Sequence, residues 1–224
     1  MMTDTKDDYV VRLARIDCCA LSDALDRLKL GGQATGFPQM SGSGRIAGRA
    51  VTVRLGTGDP PPGPPRHLGT TAIEAANPGD IIVVEQRAGV EAGCWGGLLT
   101  VGAMQRGVAG VIADGPVRDI DEARSYGFPI YTNKITSLTA RGRVVEKETN
   151  GPVQIGSVTV NAGDYVVADN SASIFIAPGN VEAVLRTAEE IIERETAMAA
   201  AIRAGVPISQ VMGGNYEHML EGSK

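Results

Sequence analysis

The densest run of chemically capable residues in the chain is Asp114-Gly115-Pro116-Val117-Arg118-Asp119-Ile120-Asp121-Glu122. It follows the apolar stretch 108–113, which reads as a buried strand, and opens a short helical pattern over 120–126. In open α/β sheets, ligands bind beyond the carboxyl ends of such strands. Asp119 and Glu122 stand three positions apart and would share one helix face. Two carboxylates with no soft donor beside them suit an oxygen-seeking cation, Mg2+ or Mn2+, that keeps several waters. Arg118 can grip a carboxylate or polarise a carbonyl beside that cation. A structural role is also open: Asp119 as helix N-cap, Glu122 as the third residue of a capping box, and Arg118 in a surface ion pair.

A second feature is Trp95-Gly96-Gly97-Leu98-Leu99. Two glycines before a helix let a ligand approach the backbone, and the N–H groups of Leu98 and Leu99 would face it at the helix's positive end. That forms a cradle for a carboxylate, although Gly-Gly before a helix is common without any such role. A third feature is Glu195. The terminal helix carries an apolar stripe through Val184, Ala188, Ile191, Met198 and Ile202. Glu195 falls on that stripe, where a carboxylate needs a partner, a cavity or a frayed helix to be tolerated. Nothing local suggests a Ser/His/Asp or Cys/His set, and His67 and His218 are too far apart in sequence to read as a metal pair. Lys134, close to a strand end, is the one lysine placed where a Schiff base might form.

The elements that must position these groups are legible from periodicity. Residues 8–29 read as one amphipathic helix and 46–55 as a strand. Gly56 to Pro65 holds five prolines and three glycines and reads as a surface loop. A short helix over 70–76, a strand over 81–85, a helix over 98–105, the strand 108–113, a turn at 114–116, the helix 120–126 and a strand over 128–131 follow. The alternation from 81 to 131 predicts a parallel sheet with right-handed crossovers. Short strands at 153–155, 158–160, 165–168 and 174–176 predict an antiparallel part, and a long helix spans about 180–204. With 224 residues, no internal repeat and no clean linker, one α/β domain with a mixed sheet is expected, its core over about 10–205.

The net charge of −5, with acidic and basic residues interleaved, argues against nucleic-acid binding, which needs clustered cations. No stretch approaches a membrane span, and the first eleven residues lack an apolar signal region. Cys18, Cys19 and Cys94 suggest neither a disulfide framework nor a zinc site, so reduced thiols in a cytoplasmic protein are expected.

Gly97, twenty residues, Arg118-Asp119, two residues and Glu122 together resemble the Gly-x20-Arg-Asp-x2-Glu/Asp signature of the regulator of ribonuclease activity A-like proteins and their relatives, the 4-hydroxy-4-methyl-2-oxoglutarate and 4-carboxy-4-hydroxy-2-oxoadipate aldolases. The text from Arg106 to Ile112, that from Gly127 to Pro129 and the segment from Ile155 to Asp169 are also similar, so the resemblance covers roughly residues 10–205. It implies an α/β/β sandwich resembling the phosphohistidine swivelling domain, assembled as a homotrimer or a dimer of trimers with sites between subunits. It implies Mg2+- or Mn2+-dependent cleavage of pyruvate-yielding oxo acids and decarboxylation of oxaloacetate. By the same resemblance Asp119 is the metal ligand, Arg118 polarises the carbonyl, the backbone at Gly96, Gly97, Leu98 and Leu99 holds the substrate carboxylate, and Glu195 is an acid delivered from a neighbouring subunit. Aldolases of the family often carry Asp where this chain has Gly97, which leaves Glu122 to support the cation through waters and leaves decarboxylation open beside aldol cleavage. The alternative the resemblance also implies is a non-enzymatic regulator that binds a ribonuclease.

Overall fold

The structure, a computed structural model, describes residues 7–213. Its strands are β1 (Gln33–Ala34), β2 (Gln39–Ser41), β3 (Ile46–Gly56), β4 (Ile81–Glu85), β5 (Gly110–Val117), β6 (Ile130–Ile135), β7 (Val145–Thr149), β8 (Val153–Ile155), β9 (Val158–Val160), β10 (Tyr165–Ala168) and β11 (Ser173–Ile176). Its α-helices are α1 (Asp8–Leu13), α2 (Cys18–Arg27), α3 (Thr70–Ala75), α4 (Gly97–Arg106), α5 (Ile120–Tyr126), α6 (Val181–Arg203) and α7 (Ile208–Val211).

Nine strands form one mixed sheet in the order β1-β11-β10-β3-β4-β5-β6-β2, with β7 also pairing β3. The β3, β4, β5 and β6 pairings are parallel, as the strand–helix alternation predicts. The β10 and β11 pairings are antiparallel. Side-chain alternation along β4 sorts the core into layers. Ile82 and Val84 face a cluster shared with α3, α4 and α5, which includes Ala72, Leu99, Ala103 and Ala123. Ile81 and Val83 face an inner cluster with Ile155 and Val160 of the β8-β9 hairpin and Val166 and Phe175 of the antiparallel strands. On the far side of β10 and β11 a third cluster joins Val167 and Ile174 to α1, α2 and α6. The hydroxyl of Tyr131 on β6 donates across the inner layer to the Ala168 carbonyl of β10 (3.1 Å), tying the two halves together.

Three expectations are corrected. The helix expected over 8–29 is broken at 14–17, because Asp17 starts a new helix by accepting from the Ala20 N–H (2.9 Å). The apolar stripe runs through the break, so periodicity alone cannot see it. The turn expected at Asp114-Gly115-Pro116 is strand: β5 runs on to Val117 through a register shift, with Gly115 at φ +157. A β-carbon on Gly115 would stand 2.7 Å from Gln86 Cβ, so the close pairing with the chain beside it requires glycine. The strand expected over 128–131 is shifted to 130–135. The strands β1, β2 and β7 were not expected. β7 reads Val-Glu-Lys-Glu-Thr, a charged strand whose Glu148 pairs with Arg54 (2.9 Å). Among the described residues, no helix is long and apolar enough to cross a membrane.

Candidate functional site

The extension of β5 builds the site. Cys94 N–H donates to the Pro116 carbonyl (2.7 Å), Arg118 N–H donates to the Trp95 carbonyl (3.1 Å), and Trp95 bridges Val117 in parallel. This short ladder lays the chain before α4 along the end of β5. It brings Gly96-Gly97 against Arg118-Asp119, residues more than twenty positions apart. Trp95 is fully buried, and its indole N–H donates to Thr100 Oγ1 (3.0 Å), which in turn donates to the Gly96 carbonyl (3.1 Å). Thr100 thus fixes the first turn of α4. The sequence offered no cue for it beyond its place five residues after a tryptophan.

Asp119 occupies the N-cap position of α5, but it does not cap that helix. Its backbone is left-handed (φ 59°, ψ 35°), and its side chain makes no hydrogen bond to α5. Asx residues tolerate this region better than most, yet it remains an uncommon conformation for a residue with a β-carbon. The consequence is directional: Oδ2 turns to α4 and accepts from Gly97 N–H at 2.9 Å. The capping-box role therefore fails on geometry. Arg118 Nε lies 3.3 Å from both Asp119 oxygens. Both side chains are about a third exposed, at 36% and 34%. Among the described residues the terminal guanidinium nitrogens of Arg118 have no hydrogen-bond acceptor.

The glycines are required by these side chains. A β-carbon on Gly96 would stand 2.9 Å from Asp119 Oδ2 and 3.0 Å from Arg118 Cγ. One on Gly97 would collide with Glu122 Oε2 and stand 2.8 Å from its carboxyl carbon. One on Gly93 would meet Arg118 Cγ and Cδ at 3.1 Å. Arg118, Asp119 and Glu122 thus converge on the bare start of α4. Gly96, the N-cap of α4, has no side chain to cap it. The first N–H groups of a helix lack intrahelical acceptors. Asp119 takes that of Gly97, and among the described residues those of Leu98 and Leu99 have no partner. Leu98 is 89% exposed and Leu99 is buried.

Asp114, at the same end of β5, has a different task. It is buried, accepts from Asn133 Nδ2 (2.7 Å) and from Gly156 N–H (2.9 Å), and anchors the β8-β9 turn. Cys94 is no nucleophile: burial pushes its thiol up to about 12. Burial, with Asp169 beside it, also pushes the Cys18 thiol up. Lys134 is paired with Glu91 (3.3 Å). His218 lies outside the described residues.

A family model described as RraA-like, Aldolase/RraA, matches residues 18–174. The chain belongs to the RraA-like family. It is 27% identical over 214 residues to protein DlpA of Legionella pneumophila, covering 93% of this chain but 34% of that one, so it spans about a third of that relative. It is 27% identical to a Halalkalibacterium halodurans protein provisionally named a 4-hydroxy-4-methyl-2-oxoglutarate aldolase, covering 92% of this chain and 93% of the relative. It is also 27% identical to the 4-hydroxy-4-methyl-2-oxoglutarate aldolase of Thermus thermophilus, over 62% of this chain and 80% of that one. The fold is similar to that of an uncharacterised Pseudomonas syringae protein (TM-score 0.81, 25% identity, 91% and 92% of the two chains). It is likewise similar to Streptomyces coelicolor RraAS2, described as an unusual member of the RNase ES inhibitor RraA protein family (TM-score 0.73, 23% identity, 85% and 94%).

Of the residues expected at the site, Gly96, Gly97, Leu98, Leu99, Arg118, Asp119 and Glu122 come together. Glu195 does not join them. It lies on α6, whose packing is against α1 and α2 in the opposite layer. The apolar stripe on which it was expected to sit does not persist as buried surface: beyond Ile191 the helix outlasts its layer, and Glu195 is exposed. Within one chain its position needs no special explanation.

Proposed function

We propose that the chain is a divalent-cation-dependent carbon–carbon lyase acting on small 2-oxo diacids. The reaction is retro-aldol cleavage of a 4-hydroxy-2-oxo diacid to pyruvate, decarboxylation of oxaloacetate, or both. The observation that carries the proposal is the convergence of Arg118, Asp119 and Glu122 on the half-capped N-terminus of α4 at the carboxyl end of a parallel strand. The names of the 4-hydroxy-4-methyl-2-oxoglutarate aldolase relatives are consistent with it.

The donor set suits a hard cation. Asp119 and Glu122 are oxygen donors, and among the described residues no three His, Cys, Asp or Glu side chains cluster as a closed metal cage. An open, hydrated site of one or two carboxylates completed by substrate oxygens is the manner of Mg2+ and Mn2+. Asp119 would hold the ion, with Glu122 supporting it through waters. A bound divalent cation supplies Lewis acidity toward the 2-oxo group.

The chain's own residues do the rest. The N–H groups of Leu98 and Leu99, at the positive end of α4, bind the substrate carboxylate. The terminal N–H groups of Arg118 stabilise the charge that grows on the 2-oxo oxygen as the C3–C4 bond breaks. Glu122 accepts the proton of the 4-hydroxyl, C4 becomes a carbonyl, and the electron pair of the broken bond passes into the enolate of pyruvate. Returning a proton to C3 completes pyruvate. In oxaloacetate, loss of carbon dioxide from C4 delivers the same enolate. The exposed apolar face of α4, with Leu98, Val101 and Met104, supports association of copies of the chain into a trimer or a dimer of trimers. Glu195 would reach a site only in a neighbouring copy.

The test is pyruvate release from a panel of 4-hydroxy-2-oxo diacids and from oxaloacetate, with Mg2+, Mn2+ or chelator, beside a ribonuclease pulldown. Cation-dependent release abolished by Asp119→Ala is expected. A chain that releases no pyruvate under any cation but captures a ribonuclease is instead a binding regulator.

A further inference from the structure

Glu122 has a long, flexible side chain on an exposed face of a seven-residue helix. Left to itself such a carboxylate samples several rotamers. Among the described residues its carboxylate has one side-chain hydrogen-bond partner: Tyr126, one turn later on α5, donates its hydroxyl to Glu122 Oε1 at 2.9 Å. The spacing is i, i+4, which places the two side chains on one stripe. The other oxygen, Oε2, is the atom that a side chain on Gly97 would strike. The carboxylate therefore fills the space left open by Gly97, with one oxygen toward the start of α4 and the other tied back to a phenol. Neighbouring charges do not share this task, since Asp121 pairs with Arg124 (2.9 Å) and Asp119 with Gly97 N–H and Arg118.

We propose that Tyr126 is a positioning residue that holds the Glu122 carboxylate in the space above Gly97, orienting it for proton transfer. The role rests on the lyase reading above. The tyrosine touches no reacting atom; it acts by narrowing where Glu122 can be. Two sequence features are then coupled. A glycine at 97 leaves the vacancy, and a tyrosine at 126 keeps Glu122 in it. The hydrogen bond and charge of Glu122 also raise the Tyr126 phenol above its ordinary value, which gives the contact a solution signature.

The experiment uses the full chain with Mg2+ or Mn2+ and the substrate panel. Tyr126→Phe should lower kcat roughly tenfold, leave KM within about twofold and leave the thermal midpoint unchanged, since the exposed hydroxyl holds an orientation and carries no core packing. In a Glu122→Gln background, Tyr126→Phe should add almost nothing. In protein labelled with 13C at the tyrosine ring Cζ, the signal missing from Tyr126→Phe should titrate above the ordinary tyrosine range, and Glu122→Gln should bring it down. An active enzyme in which Tyr126→Phe keeps wild-type kcat, or in which the Tyr126 signal ignores Glu122→Gln, overturns the proposal. A wild-type chain that releases no pyruvate removes the reaction and this role with it. That is a failure of the lyase reading, distinguishable from kinetic parity of Tyr126→Phe in an active enzyme.

Discussion

Two helices in this molecule begin in the same way and end up with different uses. α2, in the antiparallel half, and α4, in the parallel half, each have their first N–H taken at 2.9 Å by an aspartate from a distant strand end: Cys18 by Asp169, and Gly97 by Asp119. At α2 three of the first four N–H groups have acceptors: Cys18, Ala20 and Leu21. Asp17 adds a second cap, Asp169 also accepts from Ser171 N–H (2.8 Å), Arg45 lies 3.6 Å away, and the Asp169 side chain is 15% exposed. At α4 the helix start is left open. The N-cap is glycine, the Asp119 side chain is 34% exposed, and among the described residues two N–H groups and the terminal nitrogens of Arg118 have no partner. A largely buried cap with two aspartates stabilises the fold, whereas an open, partly exposed one can bind something.

The comparison is sharpest if the two aspartates are exchanged for alanine. Asp119→Ala should lower cation-dependent pyruvate release about a thousandfold, the scale of losing a principal charge-stabilising group, while unfolding free energy falls by no more than about 1 kcal/mol. Asp169→Ala should do the reverse. It should cost about 2 kcal/mol, because two backbone N–H groups and Arg45 lose their acceptor, and kcat should stay near wild type. Denaturant melts and steady-state kinetics on both variants check the crossing. If both lose stability and neither loses activity, the two caps are the same kind of structure.

Glycines at the two ends offer a second contrast. Gly32, at φ +135, lies against the Phe175 carbonyl of β11, so Gly32→Ala meets both backbone strain and a backbone clash and should cost roughly 2–4 kcal/mol. Gly97 has ordinary helical backbone, and the obstacle there is the end of the Glu122 side chain. Gly97→Ala should therefore fold with a loss near 1 kcal/mol but displace Glu122, lowering kcat about tenfold. Melts and kcat on the two variants would report it.

Much of this contrast could be read in the sequence, for reasons that differ by residue. β4, α5 and the β8-β9 hairpin were expected at their observed bounds because apolar runs, a left-handed Gly127 and a Gly156-Ser157 turn punctuate them. Arg118, Asp119 and Glu122 stood out as a local constellation, but local spacing could not decide between a cap and a site. The deciding ladder, Cys94-Trp95 along Pro116–Arg118, is long-range, and Pro116 of the Gly-Pro pair that suggested a turn is part of that ladder. Only the local argument about Glu195 changes: its place on an apolar stripe needs no partner, because helical periodicity persists in sequence after α6 has left its packing layer and the side chain is exposed.

Acid should separate the aspartates more gently. Burial alone would raise the Asp169 carboxyl, but the N–H groups of Cys18 and Ser171 outweigh it and hold the group below its ordinary value. A carboxylate favoured by the fold stabilises it above the unfolded value, about 4, and that contribution is lost as pH falls through the folded value. The stability gap between wild type and Asp169→Ala should accordingly shrink below about pH 4, as melts across pH 2–7 on a roughly one-unit grid would show. The smallest effect is expected at the exposed Arg12–Glu189 pair (2.8 Å), where Arg12→Ala should cost under about 1 kcal/mol with kcat unchanged.

The central claim is that the open end of α4 is a cation-dependent catalytic site. The direct measurement is pyruvate release from 4-hydroxy-2-oxo diacids and oxaloacetate by wild type and Asp119→Ala, each with Mg2+ or Mn2+ and with chelator, at matched folded fractions. The account predicts release by the wild type that chelator abolishes and Asp119→Ala lacks. Equal release by the folded variant, or release indifferent to the cation, would contradict it.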